Sequence, residues 1–218
     1  MKRLGVVAVM FMMYAVAGAQ NATMPFYAND ENKRDVVSFT SKAPLETIVG
    51  TTGDIVGFVE VDPNNVSGAI RARFEVDLTT VKTGIGLRDQ HMRDQYLETD
   101  KHPKAVFEMI KVVEASQNML EEQKAIELTV EGTFSVHGIT KMITIPLTIT
   151  YRKESEATRA KLPGDLLRIE GTWQILLSDY KIKRPQFVLL KLDEMQKVHI
   201  DVFASTGSPA VSFASKSE

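Results

Sequence analysis

Residues 68–78 read GAIRARFEVDL, with Ile70, Ala72, Phe74, Val76 and Leu78 on one side of a two-residue period and Arg71, Arg73, Glu75 and Asp77 on the other. Successive side chains of an extended strand point to opposite faces, so this stretch predicts a strand with one dry and one wet face. The period returns further on. Ile126, Leu128, Val130, Phe134 and Val136 oppose Glu127, Thr129, Glu131, Thr133 and Ser135. Ile143, Ile145, Leu147, Ile149 and Tyr151 oppose Thr144, Thr148 and Thr150, and Leu167, Ile169, Trp173, Ile175 and Leu177 oppose Arg168, Glu170, Thr172 and Gln174. Shorter apolar-rich runs at 35–41, 47–52, 55–61, 187–192 and 197–203, and a less regular one at 105–113, bring the expectation to about nine or ten strands.

The turns set neighbours. His137-Gly138 links two long strands by so short a connection that they must pair antiparallel, and Gly53-Asp54 predicts a hairpin between 47–52 and 55–61. Pro146 falls on a wet face, where its missing N–H predicts a bulge or a locally unpaired position. One stretch departs from the strand pattern: after Gly84 and Gly86, residues 88–97 predict about three turns of helix, which His102-Pro103 ends.

Consecutive amphipathic strands with short turns imply an all-β antiparallel sheet rather than alternating β-α units. Such strands pack as a sandwich or close into a barrel, and closure is preferred because it leaves no exposed edge. The expected organisation is a leader over 1–19, a flexible segment over 20–34, the β domain over 35–204 and a loose tail over 205–218.

The leader changes where the chain is expected to act. Lys2 and Arg3, an apolar run over 4–16 and Ala17-Gly18-Ala19 are the three parts of a cleavable secretory signal, and the run is too short for a stable membrane anchor. Taking Lys2 and Arg3 from the 26 basic residues leaves 24 against 28 acidic ones, a formal charge of −4. A nucleic-acid binder would carry a basic excess, so that class is set aside. The chain has no cysteine, which excludes disulfides, a thiol nucleophile and a lipid-modified N-terminal cysteine.

Candidate chemistry is sparse. His91, His102, His137 and His199 form no metal-ligand spacing, and His102 and His137 read as turn residues. No G-x-S-x-G or comparable nucleophile motif occurs, and no cofactor motif does either. Asp179-Tyr180, following a long strand, reads as a turn at the rim. On the helix, Asp89 and Arg93 read as a solvated i,i+4 pair, whereas Arg88 and His91 are candidates to meet the polar head of a ligand. Phe134 and Trp173 invite a ligand-stacking reading, but an aromatic on a strand's apolar face reads first as core packing, because aromatics supply large buried area wherever they sit.

The segments SFTSKAPLETIVG and GFVEVD, then RDQHMRDQYLETDKHPKAVFEM, then VEGTFSVHGITKMITIPLTI, and finally LLSDYKI with VHIDVFA resemble, in that order, the YceI-like proteins of bacterial periplasms. The resemblance covers nearly all of 35–204. It implies an extended antiparallel lipocalin-like β-barrel with one short helix in a connection. It also implies a non-enzymatic role: binding an isoprenoid or other long-chain lipid inside the barrel. The residues expected to line that interior are Phe74, Val76, Phe107, Val130, Phe134, Ile145, Leu147, Ile149, Trp173 and Ile175, with Arg88 and His91 at the mouth. Two departures fall near the expected ligand. Where the family commonly has a histidine soon after the first strand's Phe, this chain has Phe39-Thr40-Ser41-Lys42-Ala43-Pro44, and the family's paired aromatics after the helix are Tyr96-Leu97 here. Alternation is the same for a hollow and a filled barrel. Two other readings therefore stand beside the first: a hydrolase or isomerase acting on an isoprenoid with His91 as acid or base, and a ligand-free stress-response or interaction module. Whether the chain forms a homodimer is left open.

Overall fold

The computed structural model describes residues 23–213, except residue 69 and residues 188–189. The expected leader over 1–19 lies outside them, as does the end of the tail, 214–218. The strands are β1 (Met24–Ala28), β2 (Val36–Lys42), β3 (Thr47–Thr52), β4 (Ile55–Val61), β5 (Arg71–Asp77), β6 (Lys104–Ala115), β7 (Ala125–Val136), β8 (Ile139–Arg152), β9 (Leu166–Leu176), the short pair β10 (Gln186–Phe187) and β11 (Leu190–Lys191), and β12 (Met195–Ser205).

Register shows how they close. β2 pairs with β3 from Lys42↔Thr47 to Val37↔Thr52, and β1 continues the same alignment against β4 from Ala28↔Gly57 to Met24↔Val61. β1–β2 and β3–β4 therefore act as two long broken strands. With β5, β6, β7, β8, β9 and β12 they make an eight-stranded closed antiparallel barrel, β12 pairing with β9 on one side and with β2 and β1 on the other. The hairpin expected at Gly53-Asp54 is not formed. The chain runs on through a break that lies against the break between β1 and β2, where Lys33 Nζ meets Asp54 Oδ1 at 2.7 Å. Glycine is required there because a Cβ on Gly53 would stand 2.0 Å from the Lys33 carbonyl oxygen.

The segment expected to be a flexible lead-in thus contains a strand. Phe26 and Ala28 are fully buried, so the domain begins before residue 35. The tail is likewise attached as far as it is described: Ser208 is buried, and Phe213 packs on Phe58 with ring centroids 5.9 Å apart. Two short, mostly polar segments hide these roles because each carries too few apolar residues to show a period.

The irregular alternation of β6 has a structural cause. Its register against β7 shifts between Met109 and Lys111 and again between Val112 and Glu114, turning Ile110 and Val113 to the outside. Pro146 needs no bulge. It pairs in register with Thr129 of β7, one residue before the β8–β9 ladder begins at Leu147.

The helical interruption is α1 (Gly86–His91) followed by a π-helical turn (Met92–Leu97), which ends at Glu98 in the left-handed region. A second single-turn helix, α2 (Glu156–Arg159), is capped at both positions by Ser155 and Thr158 in the charged segment before β9. No described helix is long and apolar enough to cross a membrane.

Candidate functional site

The inward faces of the barrel strands enclose a cavity of about 570 Å³, running from Val61 and Ile70 towards the base up to α1 at the other end. All twelve residues expected at a pocket lie on its wall. Phe74, Phe107 and Phe134 are successive register partners across β5, β6 and β7, so their rings form one inward row. Gly57, the partner of Phe74 on β4, leaves room for it: a Cβ there would come within 2.2 Å of the Phe74 ring. Phe134 extends the row to Trp173 and Tyr180 by edge-to-face contacts at 6.2 and 5.6 Å.

A plug closes the base. Phe26, Val66, Ile126 and Val202 pack beneath the cavity, with Phe26 edge-on to Tyr151 at 6.3 Å. Burial, then the hydrogen bond to Asp165, pushes the Tyr151 hydroxyl up, so it stays a donor to that carboxylate at 2.5 Å. Arg34 holds Asp30 at 2.7 Å and reaches the carbonyls of Ala160 and Lys161, tying the β1–β2 break to the segment after α2.

The opposite end is a lid. Arg88 Nε donates to Thr83 Oγ1 at 2.8 Å, Nη2 donates to the Thr83 carbonyl at 2.9 Å, and Nη1 reaches Glu46 Oε2 at 3.3 Å across the β2–β3 loop. Asp89, expected to be a solvated partner of Arg93, is instead buried. Its Oδ1 accepts from Thr83 N at 2.7 Å and Thr83 Oγ1 at 2.5 Å. Burial alone would raise the Asp89 carboxyl, but these hydrogen bonds outweigh it and hold it below the ordinary range. The hydroxyl of Thr83, six residues upstream, turns a surface-looking acid into the inner fastening of the lid. His91 lines the cavity half-buried.

The other histidines lie elsewhere. His102 and His137 meet edge-on at 5.3 Å, and His137 Nδ1 is 3.0 Å from the Tyr180 carbonyl. His199 bonds Thr172 Oγ1 at 3.0 Å. Among the described residues no three metal-ligating side chains converge. Tyr180, expected at the rim, is buried in a second core with Leu177 and Ile182, and burial pushes its hydroxyl up to about 12.

Lining residues from β2, β3 and β12 escaped the sequence reading, among them Phe39, Ser41, Ile48, Gln196 and Val198. The alternation Val37, Phe39, Ser41 and its continuation back from Ile200 through Val198 to Gln196 was the available signal. It was obscured by polar residues on what proves to be the dry face.

No curated protein sequence matches the chain. Among solved structures it is similar to Burkholderia cenocepacia BcnA, at TM-score 0.62 and 15% identity over 79% of this chain and 97% of that one. It is also similar to a polyisoprenoid binding domain from Saccharophagus degradans, at TM-score 0.60 and 16% identity over 84% and 98%. A third likeness is to the Campylobacter jejuni YCEI protein, at TM-score 0.53 and 16% identity over 93% and 97%. At these identities the likenesses establish a shared fold. Residues 27–204 match the YceI-like domain, and the chain belongs to that family.

Proposed function

We propose that the protein is an exported, non-enzymatic carrier that holds one long isoprenoid-type lipid inside its barrel. The observation that carries this reading is the apolar cavity of about 570 Å³ along the barrel, within the 300–1,000 Å³ range of ligand pockets. Each methylene withdrawn from water contributes about 0.8 kcal/mol, so a long chain is held by its length without any ion pair. A polyisoprenoid binding domain among its structural relatives supports the same ligand class. The basic, apolar and A-x-A pattern over residues 1–19 supports export.

Native mass spectrometry of protein purified from its own host, followed by solvent extraction, tests this. Release of a polyprenyl species is expected. A barrel that is always empty and takes up no added polyprenyl lipid overturns the reading. Leu147→Arg, which puts a cation on the cavity wall, is expected to abolish uptake. Unchanged uptake and stability would show that this face is not the binding wall.

A further inference from the structure

Leu45 and Leu87 are the two most exposed large apolar side chains among the described residues, and Ile85 is more than half exposed. Leu45 stands in the loop between β2 and β3, Ile85 and Leu87 at the start of the lid. One ion pair brings the two segments together: Glu46, the residue after Leu45, meets Arg88, the residue after Leu87, at 3.3 Å. Gly84 and Gly86 flank Ile85, and apart from their own chain neighbours no atom stands within 4 Å of where a Cβ on either would be, so nothing packs over this loop. Three aliphatic side chains therefore crown the mouth, bare to water. Ile85 and Leu87 also line the cavity, so the dry surface continues from the interior through the mouth to the outside.

The charges beside these side chains leave two cations free. In segments 42–46 and 82–89 the charged residues are Lys42, Glu46, Lys82, Arg88 and Asp89. Glu46 and Arg88 hold each other, and Asp89 is buried on its hydrogen bonds from Thr83. Lys42 and Lys82, each three residues before an exposed aliphatic, are exposed and have no acid within ion-pair distance among the described residues. A stable contact with another protein buries about 800 Å² on each side, far more than three aliphatic side chains around an opening offer. A lipid surface asks less: a few apolar side chains that reach the acyl boundary, and lysines whose ammonium groups stay with the phosphates.

We propose that the mouth of the barrel docks on an anionic lipid bilayer, with Leu45, Ile85 and Leu87 entering the headgroup region and Lys42 and Lys82 on the phosphates. This deepens the lipid-carrier reading and rests on it for what the contact delivers. A lipid leaving the bilayer reaches the cavity along Ile85 and Leu87 without crossing water.

Flotation of the whole protein with vesicles of phosphatidylethanolamine and phosphatidylglycerol tests the surface. Binding is expected, weaker on pure phosphatidylcholine and roughly fivefold weaker for each of Lys42→Gln and Lys82→Gln. Leu45→Asp is expected to weaken it about tenfold or more, the loss of one inserted leucine, at an unchanged melting temperature. Val113→Asp, which alters a bare aliphatic of the outer wall towards the base, is expected to leave it as it was. Leu45 lies outside the cavity wall. Leu45→Asp should therefore slow pickup of a polyprenol from the vesicles by the same factor and leave pickup of the detergent-dispersed polyprenol unchanged. No flotation of the wild type, undiminished flotation of Leu45→Asp, or a dimer that Leu45→Asp dissolves in place of vesicle binding each overturns the proposal, the last by putting a second copy on the patch. Vesicle binding with the expected variant effects, but no polyprenol taken up from either source, upholds the docking surface and overturns the lipid-carrier reading instead.

Discussion

At the base of the barrel Phe26, Val66, Ile126 and Val202 are at most 1% exposed, whereas at the lid Leu45, Ile85 and Leu87 leave 84, 53 and 63% of their surface in water. The two ends are fastened by different means. The base is closed by interdigitating apolar side chains, the Asp30–Arg34 pair and the Tyr151–Asp165 hydrogen bond. The lid is closed by one short helix, a π-helical turn and the hydrogen bonds of Thr83, Arg88 and Asp89. Packing is lost all at once, while a few polar contacts can open locally, so the low-stability end of a barrel is where a ligand enters. The proposed carrier role needs both: a plug that keeps the fold intact and a door whose opening leaves that plug in place.

Phe26→Ala attacks the plug and should have the largest effect, a loss of about 3–5 kcal/mol in urea denaturation, from lost burial and the cavity left behind. A loss below about 1 kcal/mol would show that the base is not packed as a unit. Asp89→Ala attacks the door by removing the carboxylate oxygen that accepts from both Thr83 donors, N–H and Oγ1–H. Amide exchange over 83–97 should accelerate about tenfold to a hundredfold, corresponding to the roughly 1–3 kcal/mol of an unsatisfied buried group, while exchange in β1 and β7 stays as it was. Equal acceleration in the base would mean the two ends open together.

Glu75 lies between the ends on the outer wall, buried by Arg73 at 2.6 Å and Lys104 at 2.6 Å. Burial would raise its carboxyl, but the Lys104 and Arg73 hydrogen bonds outweigh it, and the group sits below its ordinary 4.5. A carboxyl depressed in the folded state contributes stability that is present above its unfolded value and is lost as pH falls through the lower folded value. Melting temperature should therefore fall below about pH 4.5, and Glu75→Gln should weaken that acid dependence while lowering stability at pH 7. An unchanged acid limb would place the sensitivity elsewhere, with Asp201 next, since its hydrogen bonds from Arg168 depress it in the same direction. The smallest effect belongs to Arg71→Ala, whose ion pair with Glu60 is largely solvent-exposed. Loss of such a pair costs under about 1 kcal/mol, and a larger cost would mean that the cation–π contact of Arg71 with Phe58 carries the difference.

Legibility followed the same division. The long walls, β5, β7, β8 and β9, were readable because seven or more consecutive residues obey one period, and their dry faces all reach the cavity. β1 was not, because Met24–Ala28 is five residues long and its partners, β4 and β12, lie far along the chain. Gly53-Asp54 looked like a hairpin because a glycine and an aspartate between two apolar runs also serve a strand break. Only the carbonyl of Lys33 against Gly53 distinguishes the two. Asp89 looked solvated because its i+4 neighbour is Arg93, yet its hydrogen bonds run backward to Thr83.

By itself the sequence determined the class of structure, the inward side of each long strand and the family, since a two-residue period and an ordered set of motifs are local properties of a chain. Tertiary structure decided which strands join across the breaks, that the interior is a cavity and not a filled core, and that Ser41, Gln196 and Trp173 share one wall. Those are matters of register, of volume and of contact between distant residues. A one-dimensional pattern of apolar and polar positions is the same whether side chains meet in the middle or leave room for a ligand.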